Sequence, residues 1–124
     1  MLAIAHPLNF YAGWELILAA FVSGAGIGLF FHRETFWGGY ASFRRRIVRL
    51  GHIALAALGM INLLFAMTVP PTQRIASILL VVGAVSMPVV CFLSGWKPAF
   101  RNLFFVPVIS LVVAVILILF GGAI

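Results

Sequence analysis

Four long apolar segments, separated by short polar connections, make up most of the 124 residues of this chain. A helix needs about 20 apolar residues to cross the hydrocarbon core of a bilayer, and each segment meets or approaches that length. The sequence therefore predicts an all-α integral membrane protein, a bundle of four transmembrane helices. It is expected to form one transmembrane domain over residues 1–124, with spans near 10–31, 47–68, 74–93 and 103–120.

Composition supports the membrane class and argues against catalysis. The chain is 65% hydrophobic and 8% charged, whereas soluble domains are about 45–50% apolar and about 25% charged. Four spans leave no room for a soluble catalytic module, which needs about 50 residues or more. The sequence also has no nucleophile beside a base, no phosphate-binding glycine loop and no metal-ligand spacing. It therefore predicts a protein that is not an enzyme and binds no metal.

The basic residues predict an orientation in the membrane. Seven of the eight Lys and Arg residues flank the first and third connections, and only Arg74 lies on the other side; the seven are Arg33, Arg44, Arg45, Arg46, Arg49, Lys97 and Arg101. Cytoplasmic loops carry the excess of Lys and Arg. Both termini are therefore expected on the non-cytoplasmic side (N-out, C-out) of the cell's inner, or plasma, membrane.

The same basic residues also indicate which partners the protein binds. A net charge of +6 would suggest nucleic acid in a soluble protein. Beside apolar spans it is better explained by orientation and by anionic headgroups, so no nucleic-acid partner is predicted. The run Arg44, Arg45 and Arg46 is expected to contact anionic lipid of the bilayer or a cytoplasmic partner.

The first span is rich in small residues, which allow membrane helices to approach closely. At about 100° per residue, two faces are lined in this way: one by Gly13, Ala20, Gly24 and Gly28, and the other by Glu15, Ala19, Ser23 and Gly26. Two such faces predict a central helix with neighbours on both sides.

Two polar residues within the spans, Glu15 and Asn62, are the next candidates. Glu15 is the only acid inside a span, and an ionisable group within the membrane is costly and points to a functional site. It is expected to bind a proton or cation, to pair with a partner subunit, or simply to reach the nearby interface. Asn62, in the middle of the second span, is expected to form an interhelical hydrogen bond.

Two histidines raise the question of a cofactor. His52 lies near the start of the second span and His32 closes the first, with arginines nearby. Such a pair can hold haem b by axial coordination and propionate pairing, or His52 alone can contact a quinone head. The simpler interpretation is that both are interfacial histidines. No cofactor is the main expectation, and haem b is the alternative.

Three functions are compatible with these features. The favoured one is a non-catalytic accessory or structural subunit of a larger membrane complex, with other membrane subunits or further copies of itself as partners. The alternatives are an electron-transfer anchor that binds haem b or quinone, and a small oligomeric transporter that uses Glu15. Length, four spans and an early glutamate are similar to the small multidrug resistance transporters. However, Trp14 stands where that family has an alanine, so the chain is not assigned to it.

Overall fold

Four long helices account for most of the computed structural model, which describes residues 3–121. They are α1 (Pro7–Phe30), α2 (Phe43–Thr68), α3 (Arg74–Trp96) and α4 (Phe105–Phe120). Short 3₁₀ turns at Phe36–Gly38 and Pro98–Phe104 lie in the first and third connections. All four helices, α4 together with the turn before it, are long and apolar enough to cross a membrane. The predicted four-helix, all-α architecture is confirmed, and it suggests a multi-pass membrane protein.

The helices form an antiparallel row. Each extensive interface joins helices that are consecutive in sequence, and α1 touches α3 to a smaller extent. The two middle helices, α2 and α3, are the most buried, whereas α1 and α4 expose most of their surface. The prediction that the first span is central is therefore wrong for the single chain. On its second small face Glu15 is exposed, whereas Ser23 of the same face contacts His52 of α2.

The row has two chemically different ends. At the terminal end, α1 and α3 begin while α2 and α4 finish. The connections 31–42 and 97–104 lie at the opposite end. We call this the basic end, because seven of the eight Lys and Arg residues lie in these connections or in the first two turns of α2. A hydrogen bond from the Ala5 amide to the Ala66 carbonyl, 3.2 Å long, attaches the N-terminal segment to the terminal end.

The interface between α1 and α2 follows a seven-residue repeat. The buried residues of α1 are spaced alternately by four and three positions: Asn9, Gly13, Leu16 and Ala20. This spacing is that of a left-handed coiled-coil seam. At its centre the two backbones touch, since a Cβ on Gly13 would lie 2.8 Å from the carbonyl oxygen of Gly59. The absence of both side chains allows the close approach of the helices.

Glycines also set the spacing of the other two interfaces. A Cβ on Gly95 of α3 would lie 2.5 Å from Val48 Cγ2 of α2, and one on Gly83 of α3 would lie 2.5 Å from the Leu111 side chain of α4. Around these contacts α4 buries only Pro107, Ser110 and Ala114. The fourth helix therefore packs on α3 along one narrow face.

The first connection reverses the chain through three residues with positive φ: Trp37 at 52°, Gly38 at 84° and Gly39 at 92°. Ser42 then starts α2, because its Oγ accepts a hydrogen bond from the Arg45 amide at 3.3 Å and donates to the Trp37 carbonyl at 2.7 Å. This capping places the three arginines in the first turn of α2 and not in the connection.

Candidate functional site

Glu15 lies on the exposed face of α1. It is eight residues from Pro7, or about 12 Å along the helix axis, and about 22 Å from Phe30. Its neighbours on that face, Tyr11 and Leu18, are 64% and 63% exposed. No residue three or four positions away carries a basic group. The carboxylate therefore sits on an apolar, outward-facing surface without a cation beside it on its own helix.

His52 of α2 is held by Ser23 of α1, whose Oγ lies 2.9 Å from the imidazole Nδ1. The same Oγ lies 3.1 Å from the carbonyl oxygen of Ala20. A hydroxyl carries one proton. When the hydroxyl donates that proton to the Ala20 carbonyl, His52 must donate from Nδ1 to Ser23 Oγ. The other ring nitrogen, Nε2, then keeps a free lone pair. Gly24 makes room for the ring, because a Cβ there would lie 2.9 Å from His52 Cε1.

His52 also lines a groove of about 570 Å³ between α1 and α2. The other walls are small or apolar, with Phe21, Gly24, Ala25, Ala56 and Met60 among them. An apolar groove with one polar group is the usual form of a small-molecule site. The groove can accept a flat apolar ligand whose polar atom meets the imidazole.

The structure does not bring His32 to His52. His32 lies beyond the end of α1, nine residues after Ser23, which is about 13 Å at the rise of a helix, and the two histidines line different grooves. Two axial ligands of one haem lie on opposite faces of the same porphyrin, within a few ångströms of its iron. Within residues 3–121 no three His, Cys, Asp or Glu residues are close enough to hold a metal ion. Among the histidines, the groove thus has His52 alone.

The three consecutive arginines have different surroundings. Arg45 is only 4% exposed; its Nη1 donates to the Arg33 carbonyl at 3.0 Å and its Nη2 to the Phe31 carbonyl. Arg44 Nη2 donates to the carbonyl of Trp96, the last residue of α3, at 2.9 Å. The last carbonyls of a helix lack intrahelical partners and favour a cation. Two arginines of α2 thus stabilise the ends of both neighbouring helices, whereas Arg46 is exposed.

A buried polar cluster at the terminal end was not predicted beyond Asn62. Asn9 Nδ2 donates to Asn62 Oδ1 at 2.8 Å and to the Ser77 carbonyl at 3.2 Å, and Ser77 Oγ donates to Asn9 Oδ1. Asn62 Nδ2 donates to the Leu58 carbonyl at 2.9 Å. These side chains are satisfied by one another and by backbone. The cluster therefore joins three helices and needs no ligand.

His6, which precedes the first predicted span by four residues, is also buried, at 5% exposure. Its Nε2 donates to the Pro70 carbonyl at 2.8 Å, and its ring lies 4.5 Å from that of Phe65. The seven-residue repeat of α1, extended back from Gly13 to Asn9 and towards His6, is the signal that indicates burial here.

The small residues of the first face differ in their contacts. Gly13 and Ala20 are buried and Gly24 contacts His52. A Cβ on Gly28 would meet no described heavy atom within 4 Å. In a 3.5-residue repeat Gly28 is rotated by about 100° from Gly13, and it lines a groove with Arg45 and Arg49 at the start of α2.

Comparisons of the chain with protein-family models, with curated proteins and with solved structures gave no match.

Proposed function

We propose that this protein is a non-catalytic subunit of a larger complex in the inner membrane of the cell, and that α1 is the helix that contacts the partner. The observation that carries the proposal is the position of Glu15, exposed on α1 and about 12 Å from its start. The proposed orientation, with the basic end in the cytoplasm, follows from the excess of Lys and Arg at that end.

A carboxylate in hydrocarbon is costly unless it is paired or reaches water, and intramembrane ionisable groups usually face another protein surface. A partner helix packed on this face removes that cost by offering a hydrogen-bond donor. Gly26 lies on the same face eleven residues later, and a Cβ there would meet no described heavy atom within 4 Å. A small, open position of this kind permits close approach of a second helix.

The partner is a different chain, for reasons of charge. The chain's own basic residues lie in the connections or within the first two turns of α2 and α3, so a second copy has no cation at the depth of Glu15. A two-fold dimer through this face would also bring two Glu15 carboxylates together, since such an interface repeats the same surface on both subunits. The partner helix is expected to supply Lys, Arg or an uncharged donor at that depth.

Native electrophoresis of the tagged full chain, extracted from its own membranes in mild detergent, tests the proposal. The wild-type chain should migrate in a complex with a second protein in fixed ratio. Glu15→Leu and Val22→Trp should both release the chain from that complex. The matched control is Ile109→Trp on α4, because Val22 and Ile109 are similarly exposed, at 66% and 58%.

A wild-type chain that migrates alone would rule out the proposal. Equal disruption by Ile109→Trp would show that α1 is not the contact helix.

The His52 groove favours a second candidate, an electron-transfer anchor for haem b or quinone. Its support is one imidazole, held by Ser23 in an apolar groove of about 570 Å³. Absorption spectra of the purified protein, oxidised and dithionite-reduced, would show a Soret band and sharp reduced bands if haem is bound. These bands should be lost in His52→Ala and kept in His32→Ala. A spectrum without haem bands, from protein that also yields no quinone on solvent extraction, rules this candidate out.

A further inference from the structure

We propose that the basic end carries a binding site for the phosphate headgroup of an anionic phospholipid. The site is a groove of about 380 Å³ between the end of α1, the first connection and the start of α2. Its polar wall is formed by His32, Tyr40, Arg45 and Arg49, and its apolar wall includes Ile27 and Gly28. The residues differ from those of the proposed partner face, so the inference stands independently of the proposed function.

Arg45 supplies a donor that the protein leaves unused. Both terminal nitrogens of its guanidinium are bound to carbonyls, but Nε, although buried, has no acceptor among the described residues. A buried donor without a partner is costly, especially on a charged group. A phosphate oxygen in the adjoining groove would satisfy it.

Arg49 lines the same groove as Arg45, and its guanidinium is held by Tyr40. Its guanidinium carbon lies 4.3 Å from the centre of the Tyr40 ring, and its Nη2 donates to the Tyr40 carbonyl at 3.0 Å. Stacking and one hydrogen bond fix the plane of the guanidinium. The remaining N–H groups are in a geometry that suits phosphate oxygens.

The charges of this end favour an anion from outside the chain. The protein has two acids, Glu15 and Glu34, and only Glu34 lies at the basic end, against seven Lys and Arg residues. The chain therefore cannot neutralise its own arginines there. Anionic headgroups are the anions that a membrane surface offers at this position.

The apolar wall distinguishes a lipid from free phosphate. A Cβ on Gly28 would meet no described heavy atom within 4 Å, so Ile27 and Gly28 form an open apolar strip beside the arginines in the last turn of α1. An acyl chain can lie along this strip while its phosphate meets the guanidinium groups. The groove thus matches both parts of a phospholipid.

Native mass spectrometry of the purified full chain, titrated with dioleoyl phosphatidylglycerol or dioleoyl phosphatidylcholine in detergent, tests the site. We expect saturable binding that prefers phosphatidylglycerol. Arg49→Gln should weaken it by about tenfold, the loss expected for a hydrogen bond from a charged donor. The matched control is Arg46→Gln, which removes the same charge from an exposed neighbour on α2 and should leave binding within about twofold.

A second pair of variants tests whether an acyl chain lies along the strip at Gly28. This pair replaces the first test if circular dichroism shows that Arg49→Gln does not fold. Gly28→Leu fills the strip and should weaken phosphatidylglycerol binding, whereas Gly26→Leu, equally open but outside this groove, should not. Equal losses in Arg49→Gln and Arg46→Gln, or no preference over phosphatidylcholine, would overturn the proposal. Glycerol 3-phosphate that binds as tightly as the lipid would show a phosphate site and overturn the lipid assignment.

Discussion

Asn9 of α1 and Asn62 of α2 share a hydrogen bond of 2.8 Å between Nδ2 and Oδ1, and neither side chain has exposed surface. Ser77 of α3 donates to the same Asn9 side chain, from its own hydroxyl. Because all three groups are buried, a shift of any one helix along its axis would leave polar atoms without partners. The cluster therefore specifies the relative heights of α1, α2 and α3.

The first prediction concerns this pair. Asn9→Leu and Asn62→Leu should each lower the free energy of unfolding by about 1–3 kcal/mol, because each leaves a buried amide group unsatisfied. Their coupling in a double-mutant cycle should be roughly 0.6–1.7 kcal/mol, the range seen within membranes. Reversible unfolding in mixed micelles measures both. Thr68→Val is the control, since Thr68 is exposed and its hydroxyl donates to the carbonyl of Leu64 on its own helix. Strictly additive losses in the Asn9 and Asn62 cycle would contradict the coupling.

The second prediction separates neighbouring arginines. Arg45→Gln should reduce the free energy of unfolding by about 3 kcal/mol, because it removes two charge-assisted hydrogen bonds to carbonyls of Phe31 and Arg33, just after the end of α1. Arg46→Gln removes the same charge from an exposed position and should change it by less than about 0.5 kcal/mol. Unfolding of the two variants in parallel makes the comparison. Equal losses of stability in the two variants would mean that the positive charge is responsible and the hydrogen bonds of Arg45 are not.

The third prediction tests the contact of backbones in the α1–α2 seam. Gly13→Ala and Gly59→Ala should each destabilise the protein by about 1–3 kcal/mol, since the added Cβ would lie within 3 Å of the facing carbonyl oxygen. Gly26→Ala is the matched control on the same helix, with open space at its Cβ. It should instead stabilise α1 by roughly 0.5–1 kcal/mol. Thermal unfolding in detergent gives the sign of each change.

The fourth prediction concerns the first connection. Gly39 has φ 92° and ψ 175°, a region that only glycine occupies readily. Gly39→Ala should cost roughly 1–3 kcal/mol and make residues 31–42 more sensitive to protease. Ala41→Gly, two residues away, is the control and should leave the cleavage rate nearly unchanged. Unaltered cleavage in Gly39→Ala would show that the turn adopts another backbone conformation.

The number and approximate positions of the helices could be predicted because the length of an apolar segment depends only on local composition. The ends of the helices could not be predicted in this way, because helices continue past the hydrocarbon boundary that hydropathy detects. Asn9 shows the consequence. It precedes the predicted first span by one residue, although α1 begins at Pro7 and buries it.

Packing direction was harder to predict than helix position. Arg44, Arg45 and Arg46 are identical to any hydropathy scale, and only Arg45 is buried. The signal that separates them is the phase of α2, because Arg45 lies at seven-residue intervals from His52, Gly59 and Ala66.

The position of the first span had no such signal. In the sequence, small residues that pack against a neighbouring helix cannot be told apart from small residues that have open space beside them. The sequence alone therefore predicts a central position for α1.

The row arrangement has a consequence for biogenesis. Every extensive interface joins a helix to the one synthesised just before it, so each new segment leaving the ribosome can dock on its predecessor as it enters the bilayer. The bond between Asn9 and Ser77 is different, because it reaches across α2 to the third helix. Until α3 is inserted, α1 and α2 must persist as a hairpin held at Gly13 and Gly59, and the arrival of α3 completes their alignment.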